Sequence, residues 1–302
     1  MSFSADVKKE LCRIPVQQKC CAVAECYGIL LYANTYTAQE IRIVTASSEF
    51  SKRLPILFQR AFGIGLYREP YAKGRKQSFT VNDSRDIEKV FSVFGNESEA
   101  MIAHHINFAM LEDSCCRASF MRGVFMAGGS VTDPQKRYHL ELVTTHRSVI
   151  RETYSLLLEM DFQPRDSFRN GSYIVYFKHS EAIEDFLTTI GAPISAMGIM
   201  SAKIEKDMRN SVNRRVNCDS ANADKIVRAS QEQLLAIRTI DKQTGLHKLP
   251  EKLYELALLR VANPEASLSD LAMLSSPSVS KSCVSHRMRK LMEYAAGSQE
   301  AN

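Results

Sequence analysis

Two stretches of the chain are apolar or small on nearly every face, Glu25 to Thr37 (ECYGILLYANTYT) and Ser119 to Pro134 (SFMRGVFMAGGSVTDP). Each predicts a buried helix with a defined stop. The second ends at Gly128-Gly129, because two glycines carry the largest backbone-entropy cost of staying helical; the first ends at Ala33-Asn34. Gly28 and Gly123 hold the same place in the two runs, 95 positions apart (123 minus 28), and IRIVT at 41–45 is echoed by LELVT at 140–144. A repeat at a fixed offset marks an internal duplication.

The pattern after each apolar run extends the match. Alternating strands come first, then amphipathic helices at 49–62 and 147–162, further strands at 78–82 and 172–178, and short helices at 84–94 and 180–190. The order is αββαββα, twice. Ala24 and Gly28, and Gly123 and Ala127, put small residues four apart, so that two helix backbones can approach along a pseudo-twofold seam. This arrangement resembles the LAGLIDADG homing-endonuclease fold, in which two such helices form the seam and the strands form a saddle over DNA. The resemblance implies an acidic metal ligand at the end of each seam helix, as two-metal phosphodiester cleavage requires. The matching positions here are Ala33 and Gly128, and neither can hold a metal. The duplicated domain therefore reads as a scaffold with no catalytic residue, metal ligand or cofactor. A nuclease using displaced carboxylates such as Glu25, Asp133 or Glu141 is the enzyme alternative.

Beyond Gly191 and Pro193 the alternation stops. Residues from Ser195 to about Asn210 suit a helix, but RNSVNRRVNCDSANADK (209–225) is poor in apolar residues and reads as a linker, placed at 196–218. Arg214, Arg215 and Asn217 are candidate phosphate contacts there, against the plainer reading of a solvated linker. A helix is expected from about Asp219 to Lys242 with a stripe of Ile226, Val227, Leu234, Ile237 and Ile240, ended by Gly245. Pro250 opens the next, which buries Leu253, Leu256, Ala257 and Leu258.

SLSDLAML, SSPSVS and KSCVSHRMRKLMEY follow from Ser267. A capping box (Ser267, Asp270), a short helix, a turn holding Pro277, a second capping hydroxyl (Ser278 or Ser280) and a longer helix make helix-turn-helix grammar. On the second helix Val284, Met288 and Leu291 form one stripe. Ser282, Ser285, His286 and Arg289 form the opposite one at i, i+3, i+4 and i+7. A helix that reads a DNA groove needs such a donor-bearing face opposite a packed one. Ser276, Ser278, Ser280, Lys281, Arg287 and Lys290 complete the candidate DNA contacts; the plainer alternative is a solvated basic face on a structural bundle.

Charge sharpens this only when divided. Of the net +5, residues 203–302 carry +4 (sixteen Lys/Arg, twelve Asp/Glu) and the first 202 carry +1 (23 minus 22). Eight cysteines include two adjacent pairs and no C-x2-C, so a zinc site would have to be assembled from distant elements, and buried thiols in a reducing cytosol are the expected account. His104-His105 lacks the HExxH pattern and suits helix-surface or packing positions. The N-terminal stretch MSFSADVKKELCRIP predicts an amphipathic helix capped by Ser4, without a signal peptide, and no run of eighteen apolar residues suggests a membrane span, so a cytoplasmic protein is expected.

Together, FMRGVFMAGGSVTDP (120–134), NRRVNCDSANADK (213–225), GLHKLP (245–250) and SLSDLAMLSSPSVSKSCVSHRMRKL (267–291) resemble the WhiA family of DNA-binding regulators over essentially the whole chain. The expected fold is α+β: a helix at 1–20, a degenerate LAGLIDADG-like domain at 21–195 (repeats about 21–95 and 115–192), the linker, an all-α helix-turn-helix domain at 219–296 that the resemblance likens to sigma region 4, and a tail at 297–302. The resemblance implies a nucleoid-associated transcription regulator of cell division, chromosome segregation and sporulation, with promoter DNA as partner and RNA polymerase, a sigma factor or another regulator as a further one. Arg42, Lys73, Arg75, Lys76, Lys136 and Arg137 on the expected saddle strands leave open whether the first domain also grips DNA. The alternative is a protein- or ligand-docking scaffold with nucleoid-associated DNA binding.

Overall fold

The computed structural model describes residues 2–68, 76–95 and 104–297. The chain divides into two compact units, Met1–Asp207 and Met208–Asn302. In the first, α1 (Phe3–Leu11) precedes two copies of one motif: α2 (Lys19–Leu31), β1 (Thr35–Tyr36), β2 (Ile41–Thr45), α3 (Ser48–Phe62), β3 (Tyr67–Arg68), β4 (Gln77–Val81), α4 (Ser84–Val93), then α5 (Ser114–Gly128), β5 (Gly129–Val131), β6 (Leu140–Thr144), α6 (Arg147–Glu159), β7 (Arg165–Arg169), β8 (Ser172–Phe177) and α7 (Ser180–Ile190). The strands form two antiparallel four-stranded sheets of identical order, β1-β2-β4-β3 and β5-β6-β8-β7.

The two apolar helices pack on each other because their glycines let the backbones touch. A Cβ on Gly28 would stand 2.2 Å from the Phe120 carbonyl oxygen, and one on Gly123 would stand 2.1 Å from that of Glu25. No side chain fits at either point. Tyr27, Ile29, Leu30, Phe120, Val124 and Phe125 are buried around this contact and form the centre of the core. Tyr32 crosses the seam, its hydroxyl donating to Thr153 Oγ1 at 2.9 Å.

α1 belongs to the same core through Val7 and Leu11. Its cap is Ser2, which accepts from the Ala5 N–H; the expected cap, Ser4, instead accepts from the Val131 N–H and draws α1 onto β5. His104 and His105 lie in a loop and not on a helix. His104 stacks on Tyr36 and meets His146 edge-on, and burial, with His146 and His105 beside it, pushes its pKa down to about 4. Of the eight thiols only Cys26 and Cys116 are buried, so the expectation of buried cysteines fails for the rest.

The largest departure from the sequence reading is α8, one helix from Pro193 to Gln243, 51 residues long. The asparagine- and arginine-rich run expected as a linker at 196–218 is helical, although every residue from 207 to 229 is exposed. Each end is held instead. Glu10 accepts from the Ile194 and Ser195 N–H groups at 2.8 and 2.9 Å, capping the start. At the other end Ile237 and Ile240 enter the second core, and Gly245, at φ +79°, turns the chain out. Ile226 and Val227, expected in that stripe, are exposed, as is Leu258.

The second unit closes with α9 (Glu251–Ala262), α10 (Leu268–Leu274) and α11 (Lys281–Gly297), packed around Ile237, Leu253, Leu256, Leu271, Val284 and Leu291. Arg260, buried on α9, donates to the carbonyls of Asn263 and Ala266 at 3.3 and 2.6 Å, and the Ser230 hydroxyl donates to that of Pro264. These bonds fix the turn that presents α10.

Candidate nucleic-acid interface

α11 is set by its two ends and one buried stripe. Ser267 accepts from the Asp270 N–H at 3.2 Å while Asp270 accepts from the Ser267 N–H at 2.9 Å, so both halves of the capping box that starts α10 are made. The turn Ser275–Ser280 follows. Val279 donates its N–H to the Ala272 carbonyl, and Ser280, rather than Ser278, caps α11 by accepting from the Cys283 N–H at 3.2 Å. Val284, Met288 and Leu291 then pin α11 to α9 and α10.

Opposite that stripe, Ser282, Ser285, His286 and Arg289 are all exposed on one face, with Lys281 and Lys290 exposed beside it and Ser276 and Ser278 exposed on the turn. The Arg289 guanidinium donates to His286 Nδ1 at 2.9 Å and lies 3.8 Å from Glu293. Since arginine can only donate, this bond uses Nδ1 as acceptor, which is the role it has in the tautomer with the ring proton on Nε2. Both partners of the Arg289–Glu293 pair are 67% exposed, so the pair holds Arg289 weakly and leaves it able to turn to a base edge. Arg287 differs from the expectation. It is half-buried and lines a cleft of about 420 Å³ with Lys252, Glu255 and Pro277, between α9 and the turn. Arg214, Arg215 and Asn217 are exposed on α8, where Arg214 and Asn217 share a face and Arg215 points about 100° away.

A second basic surface lies on the open face of the second sheet. Leu140, Leu142, Val175 and Phe177 point into the core, so by alternation Glu141, Val143, Ile174 and Tyr176 point out. Arg165 stands across from Tyr176 and Arg169 across from Ser172 on that outer face. Arg137, Arg169 and Lys178 surround a depression of about 670 Å³ there. Arg165, Arg169 and Lys178 are missing from the sequence-derived set, although the polar alternation of RDSFR (165–169) is a signal for the two arginines. Arg42, Lys76, Lys136 and Arg137 are exposed, but of these expected strand residues only Arg42 lies on a strand, Lys76 standing just before β4 and Lys136 and Arg137 in the β5–β6 connection; Lys73 and Arg75 lie outside the described residues.

At the C-terminal ends of the seam helices, where the nuclease pattern requires acids, other groups stand. A Cβ on Gly128 would lie 2.5 Å from the Tyr32 ring and 2.6 Å from the Val143 carbonyl oxygen. The Lys8 ammonium donates to the Met126 carbonyl at 3.1 Å, a cation at a helix C-terminus, with its pKa lowered to about 8 by burial. Glu25 lies between Arg53 and Arg122, while Asp133 accepts from the Gln135 N–H and Glu141 from the Ser130 hydroxyl. Among the described residues, the ligand set that does converge is four cysteines at the opposite end of these helices.

Family models described as the WhiA LAGLIDADG-like domain and the WhiA C-terminal HTH domain match residues 117–209 and 212–295. A relative described as a probable cell division protein WhiA, from Ruminiclostridium cellulolyticum, is 39% identical over 305 residues that cover 98% of this chain and 97% of the relative. The chain belongs to the WhiA family. A second WhiA, from Bacillus licheniformis and described in the same words, is 34% identical over 305 residues, covering 98% of this chain and 96% of its own. The crystal structure of full-length DUF199/WhiA from Thermatoga maritima superposes with a TM-score of 0.59 at 24% identity, covering 98% of both chains. The WhiA fold is thus the one built above: a LAGLIDADG-like N-terminal domain followed by a helix-turn-helix. The WhiA domain model begins at residue 117, so the first repeat is identified by its 95-residue offset and its sheet order.

Proposed function

We propose that this WhiA-family chain is a sequence-preferring double-stranded-DNA-binding transcription regulator without nuclease activity, acting from the nucleoid in cell division, chromosome segregation and sporulation. The observation that carries the reading is α11: Ser282, Ser285, His286 and Arg289 exposed on one face, Val284, Met288 and Leu291 buried on the other. Arg289 and His286 suit base edges, while Lys281, Lys290, Arg214, Arg215 and Asn217 suit phosphates and Ser276, Ser278 and Ser280 the backbone near the turn. The names of the relatives support the division role, and the absence of carboxylates at Ala33 and Gly128 supports a non-cleaving domain. Promoters are the proposed targets, with RNA polymerase, a sigma factor or another regulator as partner.

The test is genome-wide crosslinking of bound DNA in wild type and Arg289→Ala. Peaks at promoters sharing a short motif, lost in the variant, are the expected result. Diffuse coverage unchanged by the substitution would sink the reading. A second reading, a docking scaffold, is favoured by one observation: Ile204, Met208, Val212 and Val216 recur every four residues on α8, each about 60% exposed. A chain acting mainly as a scaffold would keep its cellular role in the Arg289→Ala variant.

A further inference from the structure

The duplication places one more set of matching residues together. Cys20 and Cys21 open α2, Cys115 and Cys116 open α5, and each pair is related by the same offset of 95 as the seam glycines (115 minus 20, 116 minus 21). The seam therefore gathers all four at its N-terminal end. Their Sγ atoms lie within 4.8 Å of one another, with Cys115 and Cys116 at 4.0 Å, and none is in a disulfide. We propose that Cys20, Cys21, Cys115 and Cys116 form a structural zinc site that clamps the two repeats together.

Distance and ligand type support zinc. A tetrahedral ion with Zn–S bonds of about 2.3 Å holds its sulfurs about 3.8 Å apart, so the thiols need to close by about 1 Å or less. A disulfide needs about 2.05 Å and joins sulfurs only in pairs. A set of four thiols without imidazole or carboxylate selects a soft ion, and four protein ligands leave no open position, which makes the site structural rather than catalytic.

Charge and access fit as well. Four thiolates around a divalent cation carry a net negative charge, which two converging helix N-termini stabilise. Neither helix start is capped by a side chain, since Gln18 and Asp113 make no capping bond, so first-turn N–H groups can donate to sulfur. Gln18 Oε1 accepts from the Cys21 thiol at 3.3 Å, and the same amide can turn its NH2 to a thiolate. Cys20 and Cys115 are exposed and Cys116 is buried, giving the ion a path in and a fixed seat.

The test uses the full chain without a histidine tag, purified reduced and without chelator. Metal content is read by plasma mass spectrometry, and thiol protection by alkylation and peptide mapping, with exposed Cys218 and half-buried Cys283 as labelled controls. Expected are about one zinc per chain, protection of the four seam thiols, and loss of both in Cys20→Ser/Cys115→Ser. Cobalt(II) added to the metal-stripped wild type should give the intense visible absorption of a tetrahedral thiolate complex, an assay independent of whether the variant folds. Zinc retained by the double variant, no thiolate–cobalt absorption from wild type, or disulfides found among these four cysteines would overturn the proposal.

Discussion

Glu25 shows how a residue that could serve a nuclease is used for cohesion. Its carboxylate receives the Arg53 guanidinium in a two-pronged bond at 2.7 and 2.8 Å and Arg122 at 3.2 Å, with the acid and Arg53 both nearly inaccessible. Arg53 also donates to the Cys12 and Ile14 carbonyls, and Arg122 to that of Ile190. One acid thereby ties the α1–α2 loop, α3, α5 and the end of α7 to the seam. Removing one partner of a buried ion pair costs about 3–5 kcal/mol, because the surviving charges stay buried without compensation. Glu25→Ala is therefore expected to lower the unfolding free energy of the N-terminal unit by that amount, read as a lower urea midpoint at unchanged m-value. A change below about 1 kcal/mol would mean that water already solvates the two guanidinium groups.

At the scale of elements, the seam and α8 mark what the sequence could and could not convey. The seam was legible because Gly28 and Gly123 keep both position and meaning: each carries a backbone carbonyl where a Cβ would sit. Gly123→Ala puts a methyl 2.1 Å from the Glu25 carbonyl oxygen, and a backbone atom cannot swing aside. Overpacking of this kind costs about 1–3 kcal/mol, or a fall of about 2–12 °C in the thermal midpoint of a unit this size. Gly65→Ala, where nothing lies within 4 Å and φ is ordinary, is the control and should shift it by little. Equal effects at both sites would show that helix contact does not limit the seam. The helix-turn-helix was legible for a similar reason, since the Ser267–Asp270 box and the buried stripe are local signals. The middle of α8 was not. Its asparagines and serines favour turns, and the helix persists because anchored ends let propagation cross a stretch with no packing of its own. The cysteine cluster escaped because zinc spacing rules concern one loop, whereas these ligands are related by the duplication. Arg260 escaped because nothing local marks a polar residue as buried.

Across the whole molecule, charge separates the two candidate DNA surfaces. The chain carries +5, of which residues 203–302 hold +4. The C-terminal unit presents Lys281, Arg289 and Lys290 on α11 and Arg214 and Arg215 on α8, all exposed. With Arg289 on a base edge, the other four cations on phosphates give a log–log dependence of affinity on salt with a slope of about −3.6. Lys281→Gln with Lys290→Gln should reduce its magnitude by about 2 for specific and random duplexes alike, because phosphates carry no sequence. Arg289→Ala should instead remove about 1–3 kcal/mol of discrimination between them, provided that it reads a base edge. The sheet face gives the contrasting case. Its cations Arg137, Arg169 and Lys178 surround half-buried Val143 and Ile174, an apolar centre that suits a protein surface better than a duplex, and Arg165 stands across from Tyr176 on the same face. All lie within the first 202 residues, which carry only +1. The Arg165→Gln/Arg169→Gln/Lys178→Gln variant is therefore expected to keep the slope of the wild type. Salt titrations monitored by fluorescence anisotropy decide it: a fall of about 2–3 in the slope would bring the sheet into the DNA interface, since each lost phosphate contact removes about 0.9.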